Sequence, residues 1–159
     1  MTTGAIIHGE YRYTLTRRWD NRLPVMVWCM LNPSTADASI DDPTIRRCIG
    51  YAIREGYGSI LVVNLMAYRA TNPTDCLIQR DPCGPENDDY LRAAARESGG
   101  AIAVAWGANA PTQWVDNALL CFRQGGDPRL RCLGTTKDGN PRHPLYVSGS
   151  KVFVDWKKP

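Results

Sequence analysis

The sequence is short of the residues that build most metal and cofactor sites. It holds only two histidines, His8 and His143, and none of its six cysteines (Cys29, Cys48, Cys76, Cys83, Cys121, Cys132) forms a Cys-x-x-Cys pair. Structural zinc and iron–sulfur clusters take closely spaced thiolates or imidazoles, so no metal and no cofactor is expected. Several cysteines lie inside apolar runs such as Val27-Trp28-Cys29-Met30, where a thiol behaves as a small hydrophobe. Reduced core cysteines are therefore expected rather than disulfides. No stretch approaches the roughly 20 consecutive apolar residues of a membrane helix. The start, Met1-Thr2-Thr3-Gly4, lacks a basic segment followed by an apolar run. A cytoplasmic protein with no membrane partner is expected. No internal repeat or low-complexity tract is present.

What remains is an ordinary globular composition. At 159 residues the chain can bury one core of normal size, and a single α/β domain over 1–159 is expected. The hydrophobic fraction is 43% and the charged fraction 22%, which argues against both disorder and a fibrous repeat. The formal charge of +3 permits a polyanionic partner without demanding one. Basic pairs at Arg17-Arg18, Arg46-Arg47 and Lys157-Lys158 read first as solvated faces, with nucleic acid left open as a partner.

Hydrophobic patterning sets the architecture. Residues 6–16 end in an alternation of Tyr11, Tyr13 and Leu15 with polar neighbours, the pattern of one half-buried edge or antiparallel strand. Leu23 to Leu31 is a continuous apolar run that stops at Asn32-Pro33-Ser34, as a strand buried on both faces does. Asp42-Pro43 is a helix start, since Asp caps free amides and Pro is preset for the first turn. Ile45, Cys48, Ile49, Ala52 and Ile53 then recur at helical spacing towards Gly56-Tyr57-Gly58. Ile60–Leu65 is a second buried run, and strand–helix–strand order implies parallel strands.

Residues 68–86 are rich in turn formers and read as a long irregular connection, a type that is often functional. Asn87 or Asp88 can cap a helix through Leu91 to Glu97, ahead of a buried strand over Ala101–Trp106. Pro111 opens another helix, Leu130–Leu133 is a short fourth strand, and the tail around 151–155 can add a last one. The expected fold is a three-layer α/β/α domain on a short, mainly parallel four-stranded sheet. Ligands in such sheets bind at the carboxyl ends of the strands, where Asn32, Asn64, Trp106 and the His143 loop fall.

Each of these residues has two readings. Asn32-Pro33-Ser34 is either plain turn chemistry or a strand-end amide that holds a water or ligand. Asn64, inside Leu61-Val62-Val63-Asn64-Leu65, needs hydrogen-bond partners or loses about 1–3 kcal/mol; backbone or a ligand edge can supply them. His143, between Pro141 and Pro144, is a surface histidine or a group for proton work and charge stabilisation. Trp106, Tyr51, Tyr57 and Tyr68 are core aromatics or a stacking face. Asp37, Asp41 and Asp42 are candidate general bases, at least one of them serving as a helix cap.

The run Met30-Leu31-Asn32-Pro33-Ser34-Thr35-Ala36-Asp37 stands with Asp42-Pro43-Thr44, Val63-Asn64-Leu65, Arg69-Ala70-Thr71, Asn87-Asp88, Trp106-Gly107 and His143-Pro144-Leu145-Tyr146. Together they resemble domain-of-unknown-function family 1643 over about residues 10 to 148. More distantly, their order resembles the uracil-DNA glycosylase superfamily. There the Gly-x-Asn-Pro-Gly motif is similar to Met30–Ser34, a strand-borne Asn that reads the base edge is similar to Asn64, and the closing His-Pro-Ser motif is similar to His143-Pro144-Leu145. The resemblance implies Asn32 as the residue positioning an attacking water and His143 as the stabiliser of charge on a departing base. Asn64, Ser34, Tyr68, Trp106 and Leu145 would line a pocket for a nucleobase, a nucleotide or a base within DNA. A non-catalytic module that binds nucleotides or nucleic acid is the alternative.

Overall fold

The computed structural model describes all residues, 1–159. Its elements in chain order are β1 (Thr2–His8), β2 (Tyr11–Arg18), β3 (Val25–Met30), α1 (Pro43–Arg54), β4 (Ser59–Asn64), α2 (Pro73–Leu77), α3 (Asn87–Glu97), β5 (Ala101–Val104), α4 (Thr112–Gln124), β6 (Arg129–Cys132), a 3-10 turn (Pro144–Tyr146) and β7 (Val154–Asp155). The fold is α/β on one mixed sheet of order β1-β2-β4-β3-β5-β6-β7. The four strands expected from apolar runs are β4, β3, β5 and β6, and they pair in parallel. The sheet is nevertheless seven-stranded, because the antiparallel β1–β2 hairpin joins it at β4 and β7 joins it at β6.

The apolar runs of β3 and β4 serve two cores because successive side chains point to opposite faces. Val27, Cys29, Leu61 and Val63 pack with Leu91, Ala94, Val115, Ala118 and Phe122 of α3 and α4. Met26, Trp28, Met30, Ile60 and Val62 pack with Ile45, Cys48, Tyr51 and Ala52 of α1. Helices therefore cover both faces. The six cysteines are all buried and unpaired, and burial pushes the Cys83 and Cys121 thiols up to about 11. No helix is long and apolar enough to cross a membrane.

Three expectations need correction. The segment 6–16 is not one strand but two, reversed at Gly9-Glu10; β1 is largely exposed along its length, so its alternation leaves little trace in the sequence. The 68–86 connection contains the short helix α2, capped by Asn72, whose side chain accepts from the Thr74 amide. Asn87 caps nothing: it is fully buried, and its Nδ2 donates to the Asn64 carbonyl at 2.9 Å. Asp42 does cap α1, accepting from the Ile45 amide at 2.9 Å.

One glycine is demanded by packing. The Gly58 amide donates to Pro24, and its carbonyl accepts from Trp19 and Asp20. A Cβ there would stand 2.1 Å from the Asp20 carbonyl oxygen, so only glycine permits the chain to enter β4 this close to the β2–β3 connection.

Candidate functional site

The chain leaves β3 through α1 to β4 on one side, and leaves β5 through α4 to β6 on the other. The sheet therefore has a switch point between β3 and β5, where open α/β sheets form a crevice beyond their carboxyl ends. A cleft of about 670 Å³ lies there, lined among others by Arg12, Asn32, Asn64, Asp42, Trp106 and His143. Its volume falls within the ~300–1,000 Å³ of small-molecule sites.

Of the seven residues to which the glycosylase resemblance gives a role, six line this cleft: Asn32, Ser34, Asn64, Trp106, His143 and Leu145. Tyr68 does not. It lies edge-on to Tyr11, with ring centroids 5.9 Å apart, and borders a shallower depression beside Ser34 and Arg69. Tyr51 belongs to the core between β3 and α1.

Asn64 ends β4 at 1% exposure, and neither its Oδ1 nor its Nδ2 has a hydrogen-bond partner within the protein. Its own backbone is fixed, since its carbonyl accepts from Asn87 and it pairs in register with Met30 of β3. Alternation along Ile60, Val62 and Asn64 turns the amide to the α1 side of the sheet. Leaving the polar side chain of a buried amide unmet costs about 1–3 kcal/mol.

Asn32 is tied differently. Its Nδ2 donates to the carbonyls of Ala70 at 2.8 Å and Pro33 at 3.0 Å, which locks the side chain and leaves Oδ1 as a free acceptor. The Pro33 carbonyl also accepts from the Ala70 amide. The loop after β3 is thereby laced to the long connection after β4, of which Ala70 to Thr74 and Leu77 also face the cleft.

His143 precedes the 3-10 turn, and its Nδ1 accepts from the Leu145 amide at 3.2 Å. That bond requires a neutral ring with its proton on Nε2. Burial lowers the pKa below the usual histidine value, and the nearby Asp42 carboxylate opposes this only in part. The other imidazole, His8, sits elsewhere, on Glu86 at 2.7 Å. Trp106 is 2% exposed, its Nε1 unpartnered, and it meets Trp156 edge-on.

Sequence reasoning missed Arg12. Simple alternation places it with the exposed polar residues of β2, yet it is 2% exposed. The cause is a β-bulge: Ile6 pairs with Thr14 but Ile7 pairs with Arg12, which leaves Tyr13 as an extra residue. The bulge turns Arg12 onto the face of Leu15 and Arg17, towards the cleft. Its Nη1 donates to the Ala36 carbonyl at 2.8 Å and its Nε is unpartnered. Burial brings its pKa down to about 10, with Asp42 opposing.

Two further arginines hold the same loop. Arg69 donates to the carbonyls of Ser34, Thr35 and Ala36. Arg17, read from the sequence as part of a solvated pair, is fully buried; it bonds Asp41 at 2.7 Å and the carbonyls of Asp37 and Ile40. No group of three or more His, Cys, Asp or Glu side chains converges anywhere as a metal site.

The cleft thus presents a donor–acceptor amide, a lone amide acceptor, an imidazole donor and an indole at the end of one sheet. A family model described as a protein of unknown function, DUF1643, matches residues 12–145. No curated protein and no solved structure matches the chain.

Proposed function

The chain belongs to the DUF1643 family, and from that starting point we propose that it is a glycosylase-like protein that binds a nucleobase or nucleotide, including a base within DNA, and hydrolyses its N-glycosidic bond. The observation that carries the reading is the Asn64 amide, buried at the cleft with both polar atoms unmet. An amide offers a donor and an acceptor side by side, which is the complement of a nucleobase edge. A base seated there would give both atoms a partner that the protein itself does not supply.

The neighbouring groups fit the chemistry. Hydrolysis adds a water oxygen to the anomeric carbon as the carbon–nitrogen bond breaks and its electron pair leaves with the base. Asn32 Oδ1, held by the two bonds of its own Nδ2, can accept from that water and orient it. The Nε2–H of neutral His143 can donate to negative charge developing on the base, and the proton lost by water ends on the base or in solvent. The likeness of Met30–Ser34, Asn64 and His143–Leu145 to uracil-DNA glycosylase motifs supports the same assignment.

A second reading, a non-catalytic module for nucleotides or nucleic acid, is favoured by two observations. The only carboxylate lining the cleft, Asp42, is engaged in capping α1, so no free base stands ready. Met30, Ser34 and Leu145 also replace the glycines and the serine of the glycosylase motifs.

Base release from single- and double-stranded DNA carrying uracil or modified bases separates the two. Release that is lost in Asn32→Ala and His143→Gln supports the enzyme; no release from any substrate defeats it. Calorimetry with nucleobases and nucleosides tests both readings through Asn64→Leu. This variant is expected to abolish binding while stabilising the free protein by about 1–3 kcal/mol, because it removes two unmet polar atoms. A destabilised Asn64→Leu would mean that the amide serves the fold rather than a ligand.

A further inference from the structure

A second concavity, of about 520 Å³, runs beside the cleft and shares Leu145 with it; Arg46, Arg47, Gly50, Tyr51 and Arg54 of α1 form one wall and Gly149 faces them. Arg46, Gly50 and Arg54 are spaced i, i+4, i+8 and so lie along one stripe of the helix. Gly50 is the anomaly. Glycine inside a helix is destabilising relative to alanine, and a Cβ at this position would meet nothing within 4 Å. Packing therefore gives no reason for it. Its effect is a notch of bare helix backbone between two guanidinium groups.

We infer that this groove holds the phosphodiester backbone of a single nucleic-acid strand, with a phosphate seated over Gly50 between Arg46 and Arg54 and the attached base passing over Leu145 into the cleft. The inference rests on the base-binding reading of the cleft and adds a strand to it. Two observations favour a strand over a lone phosphate. Arg46 and Arg54 are eight residues apart, about 12 Å along a helix, so each can reach a phosphate flanking the one over Gly50. Leu145, which groove and cleft share, and Tyr146, which lines the cleft, are exposed at 41% and 78%, the kind of apolar platform on which unpaired bases stack.

The arginines are already oriented, and each keeps unused donors. Arg46 gives one bond, to the Asp41 carbonyl. Arg47 holds the Pro144 and Val147 carbonyls. Arg54 bonds the Gly149 carbonyl and Glu55, and lies over the Tyr51 ring at 4.9 Å. The acidic groups near the groove are Asp41, already bonded to Arg17, Asp42, which caps α1, and Glu55. A phosphate at the notch competes with Glu55 alone.

The test is fluorescence anisotropy of the full chain with a labelled single-stranded oligonucleotide, an abasic strand of equal length, a duplex and a nucleoside monophosphate, each across a salt series. Wild type is expected to bind both single strands with a steep salt dependence, about 0.7 in log–log slope per phosphate contacted. Arg46→Gln and Arg54→Gln should each reduce that slope by about 0.7 and weaken the abasic strand. Gly50→Ala should bind both strands more weakly although its unfolding midpoint rises. Unchanged slopes in the arginine variants, or a Gly50→Ala protein that binds strands as wild type does, overturn the inference. So does a duplex or monophosphate bound as tightly as the single strand. Abasic binding that survives in Asn64→Leu while no base or nucleoside ever binds would sustain the groove and sink the cleft reading; nucleoside binding without strand binding would do the reverse.

Discussion

At the scale of single residues, the site is a set of polar atoms held in place by neighbours that use up their other options. Asn32 spends its donors on carbonyls and keeps one acceptor, and His143 spends Nδ1 on an amide and keeps one donor. The histidine makes a pH prediction. Its folded-state pKa lies below the usual ~6.5, so the unfolded chain takes up this proton first as pH falls. Stability is then unaffected by His143 above about 6.5, declines as pH drops below that value, and levels off once the folded-state pKa is passed. Denaturant titrations of wild type and His143→Gln at pH 7.5 and 5.5 should show a larger loss for wild type; equal losses would mean that the ring titrates alike in both states. The sequence showed Asn32, Asn64 and His143 because amides and an imidazole stand out after apolar runs. It hid Arg12, whose orientation depends on an extra residue in β2 that no side-chain pattern reveals.

Among the elements, the loop between β3 and α1 matters most, since it carries Asn32, Ser34 and Asp42 yet has no regular structure of its own. It is pinned by β2 through Arg17 and by the connection after β4 through Arg69. Arg17→Met should cost about 3 kcal/mol in urea unfolding, because it strips the donor from buried carbonyls and from Asp41 together. Asp41→Asn should cost much less, as that side chain is 28% exposed and can be hydrated. Similar costs for the two would show that the ion pair, rather than the carbonyl bonds, holds the loop. The parallel strands β3, β4 and β5 were legible because they are apolar runs buried on both faces, whereas β6 is buried only at Cys132. The hairpin was legible only in its second half, since β1 is mostly exposed and an exposed strand has no hydrophobic register to read. Helix α2 was missed because five residues give too short a pattern for helical periodicity.

Across the whole molecule, stability is concentrated in the centre of the sheet. All of β4 is buried and β3 nearly so, whereas β1 is mostly exposed and β7 is two exposed residues. Amide hydrogen exchange should rank accordingly, slowest in β3, β4 and β5 and fastest in β1 and β7. Early exchange in β4 would mean that the two cores open independently of the strands between them.

The bulged strand that supplies Arg12 precedes β3 in the chain, and the turn that supplies His143 follows β6. A nascent chain on the ribosome can complete β3, α1 and β4 while the cleft still lacks its imidazole wall. A fragment that stops before the turn lacks one wall of the cleft, so it should not compete with the full chain for whatever the cleft binds.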